Sequence, residues 1–134
     1  MGMDQAMIVA GIGCRKGTAA AAIEAAINAA LARAGLAADA LALIATSAAK
    51  RKEPGIADAA ARLGLPVVFI PQCDLETGAH RSETHSQRVM ALTGVPSVAE
   101  AAALAAAGAA ATLLAARIAI GPATCALAEA RDAP

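Results

Sequence analysis

Eight residues near the N-terminus, Gly11-Ile12-Gly13-Cys14-Arg15-Lys16-Gly17-Thr18, hold the first concentration of chemistry in the chain. Three glycines free the backbone for close approach to a bound group. Thr18 is a good N-cap, and a helix starting there turns unpaired N–H groups and the positive end of its dipole toward an anion. Arg15 and Lys16 add two charges. The spacing is G-x-G-x-x-x-G, one residue too long for the dinucleotide fingerprint, and no Gly-Lys-Ser/Thr closes it as in a Walker loop. The bland alternative is a glycine-rich turn with solvated charges; its place between a strand and a helix favours the anion site. Cys14 has the setting that lowers a thiol pKa. No base lies near it in sequence, so a small packing residue is the simpler reading.

A second basic segment, Thr46-Ser47-Ala48-Ala49-Lys50-Arg51-Lys52-Glu53-Pro54, carries three cations between an apolar run and a proline. A solvated surface loop is the plain reading. If both segments leave the same edge of a sheet, they suit a ligand with several carboxylates, because Arg forks bind carboxylates bidentately and Lys acts as a point charge. His80 and His85, in AHRSETHS, do not have the HExxH spacing, and no metal site is expected. A histidine's unperturbed pKa is near neutral, which would suit His85 to a proton-carrier role, although surface histidines are the better reading of both. Asp74 and Glu76 have no pairing partner in sequence. Ser97 and Glu100 form an S-x-x-E capping box, and Arg117 interrupts an apolar run as an outward-facing strand residue would.

These segments need a scaffold. Ala6–Ala10, Leu41–Thr46 and Leu65–Ile70 read as buried strands. Between them lie a helix from Thr18 to about Ala34, stopped by Gly35, and a helix from Pro54 to Leu63, stopped by Gly64. Residues 72–84 read as a polar functional or mobile loop with room for one turn of helix, followed by a short helix at Ser86–Leu92 and another from Ser97 to Ala107. Leu113–Ile120 and Thr124–Ala128 read as a final strand pair around Gly121-Pro122, antiparallel across a tight turn. The expected fold is α/β: one three-layer domain with a core over about residues 6–128. Its mostly parallel mixed sheet has about five strands and helices on both faces. In such sheets ligands bind beyond the carboxyl ends of the strands, where both basic segments fall.

Composition narrows the function. The 134 residues carry 11 basic and 11 acidic side chains, one Phe, and no Tyr or Trp. Neither a basic footprint nor stacking platforms for nucleic acid are present. The hydrophobic fraction of 58% is mostly alanine, a helix former rather than a strong hydrophobe. The most apolar stretch, Ala101–Ala116, is too short and weak for a membrane span. No basic n-region marks a signal peptide at the start, and three unclustered cysteines read as free thiols of a reducing compartment. The expected location is the cytoplasm.

Four segments in this order, GIGCRKGT, TSAAKRKEPG, GVPSVAEAAAL and ATCALA, resemble the CobE family, which is also the C-terminal domain of CbiG, over about Ala6–Ala128. The resemblance implies a role in corrin-ring synthesis without a cofactor, with a precorrin or hydrogenobyrinic acid-type intermediate as ligand. Such intermediates carry many acetate and propionate groups. It carries over Gly11, Gly13, Cys14, Arg15, Lys16, Thr46, Lys50, Ser97, Glu100 and, more weakly, Arg117 as ligand-contacting positions. Three roles are compatible with it. The first is a carrier or accessory factor that binds the intermediate. The second is a lactone hydrolase of the CbiG type, releasing acetaldehyde, with Glu100, Glu53 or His85 as base. The third is a non-catalytic subunit of another pathway enzyme. Binding is favoured, because the basic segments are clear and no catalytic pair is.

Overall fold

An alternation sets the centre of the fold. Ile8, Ala10 and Ile12 fall on one face of the first strand, and Val9, Gly11 and Gly13 on the other. In a computed structural model, which describes residues 7–79, 97–108 and 111–130, this strand is β1 (Met7–Cys14). It is followed by α1 (Ala20–Ala34), β2 (Leu41–Ser47), α2 (Pro54–Leu63), β3 (Val67–Ile70), α3 (Gln72–Ala79), α4 (Val98–Ala107), β4 (Thr112–Ile120) and β5 (Ala123–Ala130). The strand order is β3-β2-β1-β5-β4. β1 runs parallel to β2, and β2 to β3, while β5 is antiparallel to both β1 and β4. The mixed five-stranded sheet, its helical cover and its antiparallel last pair agree with the sequence.

The two faces of β1 lead to two cores. Ile8, Ala10 and Ile12 join Ile23 and Ile27 of α1, Ile56 of α2, and Cys125 and Leu127 of β5. Val9 joins Leu75 of α3, Ala101–Leu104 of α4 and Ala128. The second layer is built from alanine, so α4 lies very close to the sheet. A Cβ on Gly11 would run into the Ala99 carbonyl oxygen and stand 2.7 Å from Ala103 N. A glycine inside a strand marks close backbone approach, and here the approaching element is α4.

Several expectations change on this account. β1 continues through Cys14 instead of ending at Ala10, because Gly11–Cys14 pair with β5 on one side and Gly11 and Ile12 with β2 on the other. The expected glycine loop is therefore strand, and the turn begins at Arg15. Thr18 does not cap α1. The N-cap is Ala19, and the Thr18 hydroxyl donates to the Arg15 carbonyl at 2.6 Å. Residues 72–79 form the 8-residue helix α3, held by the buried Leu75, where a loop with one turn of helix at most was expected. The helix stops at Gly35 and Gly64 stand as expected, both left-handed at φ 73° and 70°. The helix expected at 86–92 lies outside the described residues, as do His80 and His85. No helix among the described residues is long and apolar enough to cross a membrane.

Cys125 is fully buried between α1 and the sheet, and burial pushes its thiol up to about 12 from an ordinary 9.0. Below pH 9 both folded and unfolded chains hold this proton. Between about pH 9 and 12 only the unfolded chain releases it, so stability falls by about 4 kcal/mol across that window. Urea unfolding between pH 8 and 11 should show this alkaline loss in the wild type and a flatter curve in Cys125→Ala. Parallel curves would mean that another group drives the loss.

Candidate functional site

The parallel strands β1, β2 and β3 end at one edge of the sheet, and the two basic segments leave from the first two of these ends. The first turns at Gly17, whose φ of 78° only glycine adopts readily. The second begins with a 3-10 turn over Ala48–Lys50, where the Ser47 hydroxyl accepts the Ala49 N–H at 3.1 Å. One bond ties the segments together: the Gly17 N–H donates to Glu53 Oε1 at 2.8 Å. Backbone packing reinforces it, since Gly55, in the first turn of α2, lies against the Thr18 carbonyl with no room for a Cβ. Arg51 reaches over β3, its guanidinium carbon 5.7 Å from the Phe69 ring centroid, a cation–π contact that steadies the second loop.

The charge at this edge is lopsided. Within the two loops, Arg15, Lys16, Lys50, Arg51 and Lys52 stand against one carboxylate, Glu53, and that carboxylate binds a main-chain amide. Among the described residues the ion pair is Arg62–Glu24, remote from both loops. Neither α1 nor α2 has a side-chain cap on its first turn, so both helix dipoles add positive potential here. Four of the five cations are exposed, and Lys50 is half-buried.

Cys14 lies half-buried under this cluster. Burial raises its thiol pKa above the ordinary value; Lys50 and a hydrogen bond from Thr18 lower it, and Glu53 raises it. Desolvation outweighs the lowering by Lys50, so the shift runs opposite to the one a reactive thiolate at this position would need. The same interactions show that Cys14, Lys50 and Glu53 share one neighbourhood. Thr46 lies deeper, fully buried, its hydroxyl donating to the Ile12 carbonyl at 2.8 Å. Thr124 donates likewise to the Gly13 carbonyl at 3.1 Å. Neighbouring strands thus lock the end of β1 from both sides. Gly11, buried beneath α4, is closed to any ligand, and Gly13 faces the first turn of α4.

The remaining expected residues fall elsewhere. Ser97 does cap α4, accepting the Glu100 N–H at 3.3 Å. Glu100 is fully buried, and its Oε2 accepts the Arg117 N–H at 2.9 Å. That bond has a cause in the sheet. β4 slips register between Leu113 and Ala115 and again between Ala115 and Ile118, and a bulge takes a residue out of the ladder. Arg117 sits in the second slip, and Glu100 receives its N–H. One strand, β5, lies between β1 and the strand of Arg117, two strand spacings or about 10 Å, so Arg117 is not part of the loop cluster. The clamp between Glu53 and Gly17 is not evident from local sequence. One hint was available, since Glu is a weak N-cap, which leaves its side chain free for another partner. Among the described residues no group of three or more His, Cys, Asp or Glu side chains is placed to hold a metal ion.

Comparison with known proteins places this architecture. The family described as Cobalamin synthesis G C-terminus matches residues 8–128. Protein CobE of Sinorhizobium sp is 41% identical over 121 residues, covering 90% of this chain and 79% of that protein. The crystal structure of CobE, a protein from the cobalamin (vitamin B12) biosynthetic pathway, superposes with a TM-score of 0.91 at 34% identity, covering 99% of this chain and 98% of the other. Cobalamin biosynthesis protein chiG from Agrobacterium tumefaciens str. C58 gives 0.72 at 46% identity, covering 91% and 97%. A cobalamin biosynthesis protein G homolog from Sulfolobus solfataricus shares the fold, with a TM-score of 0.67 at 24% identity over 93% of this chain and 37% of that one. With a family match running over nearly its whole length and a CobE relative at 41% identity, the chain belongs to the cobalamin synthesis G C-terminal family and is a protein of cobalamin biosynthesis.

Proposed function

We propose that this chain binds a polycarboxylate corrinoid, a precorrin or hydrogenobyrinic acid-type intermediate, as a carrier or accessory factor in the pathway. The observation that carries the reading is the set of five cations, without a carboxylate ion-pair partner among the described residues, that two loops bring to the carboxyl edge of the parallel strands. Clustered uncompensated cations repel one another, and a ligand with several carboxylates relieves that repulsion while gaining charge-assisted hydrogen bonds. The rigid base under the loops, with Thr46 and Thr124 locking β1, keeps the charges in a fixed array and limits the ordering that binding requires.

The hydrolase alternative has less support. Glu100 is enclosed and engaged by a main-chain N–H. Burial raises the pKa of the Cys14 thiol, which works against its use as a nucleophile. The subunit alternative calls for a complex with another pathway enzyme on a sizing column.

Titration with hydrogenobyrinic acid, followed by its visible absorption band and by desalting, tests the binding reading. The pigment should co-elute unchanged, and binding should weaken as salt rises. Passage of the pigment without protein would overturn this reading, and a chemically altered pigment with a small fragment released would establish the hydrolase instead.

A further inference from the structure

We propose that the Gly17 amide is a carboxylate subsite that Glu53 fills from within the chain, and that an incoming ligand carboxylate competes with Glu53 for it. This rests on the anion-binding reading above and adds a chemical rule to it.

Three observations carry the proposal. Gly17 stands at the apex of the first turn with open space where a side chain would project, so its N–H is approachable from solvent. The group on that N–H is already a carboxylate oxygen, at 2.8 Å, and the exposed Arg15 and Lys16 directly precede it in the chain. Finally, the position of Glu53 is unusual. It is the N-cap residue of α2, yet its side chain caps nothing in that helix and reaches across to the other loop instead. Among the described residues no cation lies within ion-pair distance of its carboxylate. A single solvent-exposed hydrogen bond is easily exchanged for an equivalent one, and a ligand carboxylate arriving among five cations offers the same acceptor. Without ligand, Glu53 keeps the amide satisfied and removes one unit of charge from the cluster. With ligand, it swings into solvent.

The test uses the 15N-labelled full chain, wild type and the variants Glu53→Ala and Glu53→Gln. Loss of the carboxylate should move the Gly17 amide resonance in Glu53→Ala. Added acetate should return it toward the wild-type position while the amides of Gly35 and Gly64 stay still. Hydrogenobyrinic acid should bind Glu53→Ala about fivefold more tightly than wild type, the scale of one hydrogen bond exchanged. Glu53→Gln, which keeps the length but not the charge, should also bind more tightly. A Gly17 amide indifferent to acetate would overturn the subsite. Weaker corrinoid binding by both variants would overturn the competition and make Glu53 a fixed clamp. If the wild type binds no corrinoid, the carrier reading fails, and the acetate response still decides whether the subsite exists.

Discussion

Replacing Gly11 with alanine is expected to destabilise the fold by about 3 kcal/mol or more, the upper range for overpacking a close-packed interior. The added methyl meets backbone rather than a movable side chain: the Ala99 carbonyl, and Ala103 N at 2.7 Å. Relief requires α4 to lift away from β1, which loosens the alanine layer packed on Val9 and Ala128. The melting temperature should drop by roughly 10 °C. Gly17→Ala is the control, since its neighbourhood is empty and only its left-handed backbone resists, at about 1 kcal/mol. Thermal unfolding followed by circular dichroism distinguishes the two. A Gly11→Ala protein melting within a few degrees of wild type would mean that α4 is not seated on β1 as described.

The second large effect concerns binding. Arg15→Glu combined with Lys50→Glu should reduce affinity for hydrogenobyrinic acid by about 100-fold or more, because two charge-assisted contacts of about 1.5–3 kcal/mol each become repulsive. Neither side chain forms an ion pair among the described residues, so the melting temperature should change little. Arg33→Glu, on the last turn of α1, carries the same kind of reversal away from the loops and should bind as wild type. Unchanged affinity in the double variant would place the ligand elsewhere on the molecule.

Much of the scaffold could be read from short-range patterns. Gly35, Gly64 and Pro54 mark helix ends through local backbone rules, and each stands where those rules put it. The last strand pair follows from its turn, with Gly121 at φ 58°. The readings that failed depend on contacts distant in sequence. Glycines after a strand ordinarily end it, and only the position of α4, some ninety residues on, explains why β1 continues through Gly11 and Gly13. The alternation of Ile8, Ala10 and Ile12 against Val9, Gly11 and Gly13 held that information, but a loop signature masked it. At the site, the convergence of the two basic loops follows from parallel strand order and was legible. The charges near Cys14 were legible too, but its desolvation was not, because burial is a property of the assembled layers. The Glu53–Gly17 bond spans 36 positions in sequence, beyond the reach of any local rule.

The slips of register in β4 bear on how this chain behaves at high concentration. With more than half of its residues apolar, it would be vulnerable if its sheet offered a straight outer strand for another molecule to extend. β3, at one margin, has only four residues. β4, at the other, has nine, and both Leu114 and Ile120 are 37% exposed. Its two bulges break the regular row of donors and acceptors that an added strand would need, and the Glu100 carboxylate takes up the Arg117 N–H within the second. A bulged outer strand is a poor template for an added one, and the buried glutamate helps to hold that bulge in place.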